Sequence, residues 1–193
     1  MKMSNNLHAA HLSFFKHDVT PQVIYQSEHT FSIVNLKPIT PHHILVIPKR
    51  HCKQLYELNS TEVTDFYNSV HLLYRFIRHL TDANGVNLAI QDGELSGQSV
   101  PHVHAHIIPR YENGNMGDGI YALLKGEFIK KNKKDGVLKP DAPVERRERS
   151  MKEMTLEAGY LKEQLEKWME LSEEDKDKQF KEIPDFSEKD TEL

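Results

Sequence analysis

Cysteine is nearly absent: Cys52 is the only one in 193 residues. A single thiol cannot close an internal disulfide, which fits a reducing compartment. Aromatic residues make up 8% of the chain and the mean hydropathy is −0.62, so part of the length is not expected to pack. Long apolar runs are also missing. Ile44 to Ile47 is among the longest, far below the ~20 residues that a membrane span needs, so no membrane partner is expected. The polar start, Met1 to Asn6, has no apolar stretch behind it, and no secretory leader is expected either. Positive charge is in deficit, 25 Lys and Arg against 29 Asp and Glu, giving −4 and a pI near 6.3. That argues against a globally basic nucleic-acid binder and leaves any phosphate-bearing ligand to local donors. Histidine, by contrast, is plentiful: there are twelve.

The pattern of the chain predicts one domain with appendages. Residues 1–12 read as a loose polar tail and 13–125 as the folded domain. Val23-Ile24-Tyr25 and Phe31 to Val34 read as two antiparallel strands joined by a short turn. Pro38 and Pro41 precede a third, more apolar strand, His43 to Ile47, which ends at Pro48. A helix of about twenty residues follows, capped by Asn59 or Ser60. On it Val63, Phe66, Tyr67, Val70, Leu73, Tyr74, Ile77 and Leu80 recur at 3–4 spacing. Strand Val86 to Gln91, a glycine-containing loop from Gly93 to Ser99, and a last strand, Val103 to Ile108, complete the pattern. Ile120 to Leu124 adds a helical turn.

Residues 126–150 read as a mobile basic insertion; between 130 and 152 nine Lys or Arg face four acids. No aromatic residues interleave the stretch 130–152 as base-stacking platforms, so no nucleic-acid partner is expected. Met151, Met154, Ala158, Leu161, Leu165 and Trp168 predict a second long helix, 151–171, with one docking face. Residues 172–193, nine acids against four lysines, read as a disordered acidic tail.

The chemistry concentrates in Gly97-Gln98-Ser99-Val100-Pro101-His102-Val103-His104-Ala105-His106-Ile107-Ile108-Pro109-Arg110. On a strand, alternate side chains share a face. His102, His104 and His106 then point one way, while Val103, Ala105 and Ile107 point into the core. Such a set admits three readings. Buried polar residues satisfied by the core are one, although three cations in a row would repel. A zinc site is the second, since His-x-His pairs on strands bind zinc; no carboxylate follows in a His-x-His-x-Asp arrangement to complete it. The third is nucleophilic catalysis, in which a neutral imidazole attacks phosphorus and its neighbours orient it. The preceding loop offers backbone N–H groups and the side chains of Gln98 and Ser99 to phosphate oxygens.

His102 to Ile108 resembles the signature of the histidine-triad (HIT) superfamily, His-φ-His-φ-His-φ-φ. Gln91-Asp92-Gly93, Gly97-Gln98-Ser99-Val100 and Ile108-Pro109-Arg110 resemble the fragile-histidine-triad branch, the dinucleoside polyphosphate hydrolases. Asn35-Leu36-Lys37-Pro38 and Pro41 to Val46 are similar to the upstream strands of that branch. The phosphoramidase branch typically has Asn-Glu-Gly in place of Gln91-Asp92-Gly93 and two glycines in place of Pro109-Arg110. The basic insertion and acidic tail look more like fungal members than compact animal ones. His42 stands where the family often has glycine, which leaves His43 as the matching residue.

The resemblance implies an α+β fold, a mainly antiparallel five-stranded sheet with two long helices, assembled as a homodimer whose two sheets run on as one. It implies cleavage of diadenosine triphosphate and related dinucleoside polyphosphates to AMP and ADP, or the corresponding nucleotides, through a nucleotidyl-histidine intermediate. The alternatives are an adenosine phosphoramidase and a nucleotide-binding signalling module with slow turnover. His104 matches the nucleophile; His106 contacts the phosphate and helps the departing group, and His102 and His43 orient the triad. Gln91 and Ser99, with the backbone of Gly97, Gln98, Ser99 and Val100, hold phosphate oxygens. Asn35 matches the ribose contact and His17 an N-terminal substrate contact. No protein-bound metal is implied, although magnesium or manganese can ride on the substrate's polyphosphate. The implied location is the cytoplasm, with the nucleus as a second compartment.

Overall fold

The computed structural model describes residues 11–81, 83–113, 117–124 and 146–178. A small ribbon, β1 (Ser13–Phe14) with β2 (His17–Asp18), precedes a five-stranded sheet. That sheet consists of β3 (Val23–Gln26), β4 (Thr30–Val34), β5 (Ile44–Pro48), β6 (Gly85–Ile90) and β7 (Ala105–Arg110). Its order is β3-β4-β5-β7-β6, antiparallel throughout. The helices are α1 (Ser60–Leu80), α2 (Gly119–Leu124), α3 (Met151–Met169) and α4 (Glu173–Lys176). This is the expected α+β arrangement with two long helices.

Side-chain alternation splits the sheet into two faces. Val34, Ile44, Val46, Ala105 and Ile107 pack with Phe66, Val70, Leu73, Phe76 and Ile77 of α1 and with Leu161, Leu165 and Trp168 of α3. Phe31, Ile33, Leu45 and Ile47 face the other way, onto Leu12 and Val19. Strands β4 and β5 are therefore buried on both faces, which suits their β-branched and aromatic content. Fully burying a side chain such as Phe66 or Phe76 contributes roughly 1.5–3 kcal/mol.

Asn59 caps α1: its side chain accepts from the Glu62 N–H while the Glu62 carboxylate accepts from the Asn59 N–H. Arg50 grips the same carboxylate with Nε and Nη2, each at 2.7 Å, and holds its pKa down at about 2. Ser150 and Glu153 cap α3 in the same way.

Several expected boundaries move. Pro109 does not stop β7. Its carbonyl faces Thr40 Oγ1 at 2.8 Å, so its missing N–H lies on the side where pairing with β5 has already ended at Ile44–Ile107. The triad strand starts at Ala105 rather than Val103. Tyr67 and Met151 fall off their predicted packing faces, each about half exposed. Leu12, placed in the loose N-terminal tail, is buried, and its N–H donates to Thr20 Oγ1. The supposed acidic tail begins with α4: Arg75 binds Glu173 and Asp177, and Trp168 Nε1 donates to the Lys176 carbonyl. The end of the basic insertion, 146–150, is also packed, with the Arg149 N–H donating to the Leu36 carbonyl at 3.0 Å. Residues 126–145 and 179–193 of those two segments lie outside the described residues.

Candidate active site

The register of β7 sets the site. His106 pairs with Leu45 on β5 and Ala89 on β6, so its side chain leaves the sheet on the face opposite α1. His102, His104 and His106 are all buried, at 1, 5 and 7% exposure, and His43 joins them at 1%. Burial at this level makes the hydrogen-bond partner of each ring nitrogen decisive, because a neutral imidazole carries one N–H and one lone pair.

Backbone groups fix the tautomers of His102, His104 and His43, and the His43 ring fixes that of His106. The Phe15 N–H donates to His102 Nδ1 (3.1 Å), so the His102 proton sits on Nε2 and is given to the Pro48 carbonyl (2.9 Å). His104 Nδ1 faces the His102 carbonyl at 2.8 Å and must donate, which leaves Nε2 with a bare lone pair. The Ile39 N–H donates to His43 Nδ1 (3.2 Å), so His43 carries its proton on Nε2 and gives it to His106 Nδ1 (2.9 Å). His106 therefore holds its own proton on Nε2, and that buried atom has no hydrogen-bond partner among the described residues. A nucleophilic nitrogen on His104 and an uncommitted N–H on His106 stand on rings 4.9 Å apart, centroid to centroid.

Electrostatics keep the set neutral. Burial pushes the His102 imidazole down to about 4 and that of His106 to about 3, with neighbouring histidines adding to both effects. Burial also lowers His104, against the opposing bond to the His102 carbonyl, and holds His43 well below its ordinary value. Four neutral rings avoid the repulsion that three adjacent imidazolium ions would suffer. They also weigh against a three-histidine zinc site, since both nitrogens of His102 are committed to backbone groups. Among the described residues no cluster of three or more His, Cys, Asp or Glu side chains has metal-binding geometry.

The remaining expected residues divide. Asn35 is brought to the site: it is buried, its Nδ2 lies 3.1 Å from His43 Nε2, and its Oδ1 accepts from the Lys37 N–H. Gln91 stands one residue past the Ile90–Ala105 pair, beside His104 across the ladder, and its Nε2 donates to the Ser96 and Leu124 carbonyls. The glycine loop needs correction. Its bends at Gly93 and Gly97 have φ of +95° and +86°, a conformation that favours glycine. The N–H groups of Gly97 and Gln98 close those bends onto the Glu94 and Gly93 carbonyls. The Gln98 side chain is likewise committed, accepting from the Gly93 N–H and donating to the Lys53 carbonyl. Gly97 and Gln98 are thus braces of the loop, and the N–H groups of Ser99 and Val100 are the ones left for a ligand. His17 sits exposed on β2, and no described contact joins it to the triad.

Other contributors were invisible to residue-type reasoning. Phe14 packs its ring 5.1 Å from that of His104 and 5.7 Å from that of His102. His51 stacks edge-on against His102 and bonds the Pro101 carbonyl. His42 takes the left-handed backbone (φ +59°) that a glycine would adopt without strain. Its Nδ1 lies 3.1 Å from Glu157 Oε1, and Glu157 in turn pairs with Arg149, whose guanidinium donates to the Asn35 carbonyl. The α3 helix is thereby tied to the loop that presents Asn35 and His43.

The chain that carries this sheet-borne set of histidines matches the family model of the HIT domain over residues 16–113 and belongs to that family. Among characterised relatives, the bis(5'-adenosyl)-triphosphatase of Saccharomyces cerevisiae is 38% identical, over 81% of this chain and 92% of its own length. The asymmetrical bis(5'-nucleosyl)-tetraphosphatase of Schizosaccharomyces pombe is 43% identical over 59% of this chain and 63% of its own. In structure, the Plasmodium falciparum diadenosine triphosphate hydrolase in complex with cyclomarin A superposes with a TM-score of 0.64 at 23% identity. That match covers 86% of this chain and 90% of the other, and it shows the shared fold.

Proposed function

We propose that this protein is a dinucleoside polyphosphate hydrolase that cleaves diadenosine triphosphate to AMP and ADP. The observation that carries the chemistry is the bare Nε2 of His104 beside the uncommitted Nε2–H of His106. His104 Nε2 attacks the α-phosphorus; the P–N bond forms as the bridging P–O bond breaks, and the electron pair leaves with ADP. ADP is a stable anion near neutral pH, so no proton transfer to it is required. His106 Nε2–H donates a hydrogen bond to the phosphate and offsets the developing charge, with the Ser99 and Val100 N–H groups as further donors. Water then attacks the phosphorus of the adduct; the P–O bond forms as the P–N bond breaks, the electron pair returns to His104 Nε2, AMP leaves and a proton of the water passes to solvent. Splitting the displacement in two lowers each barrier. His43 acts by position, passing a backbone-fixed proton arrangement to His106, while the His102 ring ties the Phe15 N–H to the Pro48 carbonyl and its own carbonyl holds His104 Nδ1–H. Asn35 meets the ribose, and Gln91 reaches the phosphate once its amide turns from the Ser96 carbonyl.

A divalent cation, magnesium or manganese, accompanies the substrate's polyphosphate in this reading. The protein works as a homodimer: among the described residues no strand pairs with the outer side of β6, and Leu88 on it is half exposed. The single thiol suits a reducing compartment, the cytoplasm and nucleus. A side-by-side product assay on diadenosine triphosphate, diadenosine tetraphosphate and an adenosine phosphoramidate tests the assignment. The triphosphate should be turned over fastest, giving AMP and ADP in equal amounts; preferred cleavage of the phosphoramidate would move the protein to the other branch.

A further inference from the structure

Strand β4 ends at Val34, so Asn35 is the first residue past the ladder. Its N–H still donates to the His43 carbonyl at 3.2 Å, but among the described residues only Arg149 donates to its carbonyl. Asn35 is buried, and a buried carbonyl left without a donor is costly. Arg149 Nε reaches that oxygen at 3.1 Å and Nη2 closes on it as well, while Nη1 pairs with Glu157 of α3. The Arg149 N–H also donates to the Leu36 carbonyl at 3.0 Å, so one residue holds two successive carbonyls of the loop. Arg149 is itself anchored. It directly precedes Ser150, the N-cap of α3, and Met154, Ala158 and Leu161 bury that helix in the core. The Arg149 and Glu157 side chains are 12% and 5% exposed, where a charge-assisted bond is strong. Both residues lie beyond the stretch 16–113 that matches the HIT domain.

We infer that Arg149 is a positioning residue of the nucleoside site: by gripping the Asn35 carbonyl it sets the direction of the Asn35 amide toward a ribose hydroxyl of the substrate. This deepens the hydrolase reading and rests on its assignment of Asn35 to the ribose. The amide has capacity to spare. Its Nδ2 lies 3.1 Å from His43 Nε2 and its Oδ1 accepts from the Lys37 N–H at 3.1 Å, which leaves a second lone pair on Oδ1 for a hydroxyl. With the backbone of Asn35 fixed from α3, that direction is set before the substrate arrives rather than found on binding. Arg149 touches no substrate in this arrangement. A lysine at this position keeps a counter-charge for Glu157, but it has no planar fork to hold the carboxylate and the carbonyl together.

Hydroxyl discrimination separates positioning from bracing. Adenosine, 2'-deoxyadenosine and 3'-deoxyadenosine are titrated by calorimetry into the native protein, Arg149→Gln and Arg149→Lys. The native protein should bind adenosine about tenfold more tightly than at least one of the deoxynucleosides, the scale of one well-directed hydrogen bond. In Arg149→Gln that ratio should fall to about threefold or less, half of the discriminating free energy. Arg149→Lys should give an intermediate ratio, and because it keeps the pair with Glu157 it also serves where the Gln variant does not fold. Uniform weakening of all three nucleosides with the ratio unchanged would make Arg149 a brace of the loop and overturn the proposal, as would unchanged binding. Equal affinities for the three in the native protein would overturn it too, by removing the ribose contact from Asn35. A native protein that shows the Arg149-dependent ratio but releases no AMP and ADP from diadenosine triphosphate would instead refute the hydrolase reading and leave the positioning role standing.

Discussion

His104→Asn is the most discriminating substitution that the geometry offers. The Asn amide nitrogen occupies roughly the place of the imidazole Nδ1, so it can still donate to the His102 carbonyl, a bond of 2.8 Å in the native protein. What disappears is Cε1 and Nε2, the far edge of the ring. Two missing ring atoms at a buried site cost about 1–2 kcal/mol of stability, within reach of a folded protein. The catalytic loss is of another order, because the variant has no atom to form the covalent bond. A fall in kcat of at least ~10⁴ is expected, roughly 5.5 kcal/mol at 1.36 per decade. KM should stay within a few-fold, since the proposed ribose and phosphate contacts come from Asn35, Ser99, Val100 and His106. The assay is rapid quench with substrate labelled at the α-phosphate. Wild type should yield an acid-labile nucleotidyl adduct on His104 in the first turnover, and the variant none. Turnover within tenfold of wild type, or an adduct that maps to His102 or His106, would refute the tautomer argument.

Two further outcomes concern stability. Burial lowers the folded-state pKa of His102 to about 4 and of His106 to about 3. As pH falls below the ordinary 6.5, the unfolded chain therefore takes up protons that the folded chain refuses. The protein should lose on the order of 2 kcal/mol per histidine between pH 7 and pH 5, above the range where carboxylates titrate. Urea midpoints measured at the two pH values check this, and a flat profile would count against neutral, buried rings. Glu157→Ala strands the Arg149 guanidinium and removes the partner of His42 on the opposite side. A loss of about 3–5 kcal/mol is expected for breaking a buried pair from one side; a change below 1 kcal/mol in equilibrium unfolding would show that water reaches the pair.

Much of this architecture was legible because it is written in side-chain type. The 3–4 spacing of Phe66, Val70, Leu73 and Ile77 located α1, and Asn59 or Ser60 marked its start. The alternation of His102, His104 and His106 with Val103, Ala105 and Ile107 located the site and its face. What stayed hidden lies in groups that every residue shares. The donors that set the tautomers are the N–H groups of Phe15 and Ile39, and the acceptors are the carbonyls of Pro48 and His102. No residue type announces them. The same holds for Gly97 and Gln98, whose N–H groups looked available until the loop's own bends were seen to use them. The helical start of the C-terminal segment was missed because α4 is held by tertiary contacts to Arg75 and Trp168 rather than by an apolar stripe of its own.

The bond from the Phe15 N–H to His102 crosses 87 positions of sequence and hangs the reactive centre on a two-residue ribbon. A ribbon so short opens on its own, far below the cost of global unfolding. Each opening removes the donor to His102 Nδ1 and leaves that ring held by the Pro48 carbonyl alone. Deuterium uptake at the Phe15 amide is therefore a direct meter of how often the ribbon lets go of the triad. A ligand that seats on His104, whose ring packs against Phe14 of that ribbon, should slow the uptake before it changes exchange anywhere in α1.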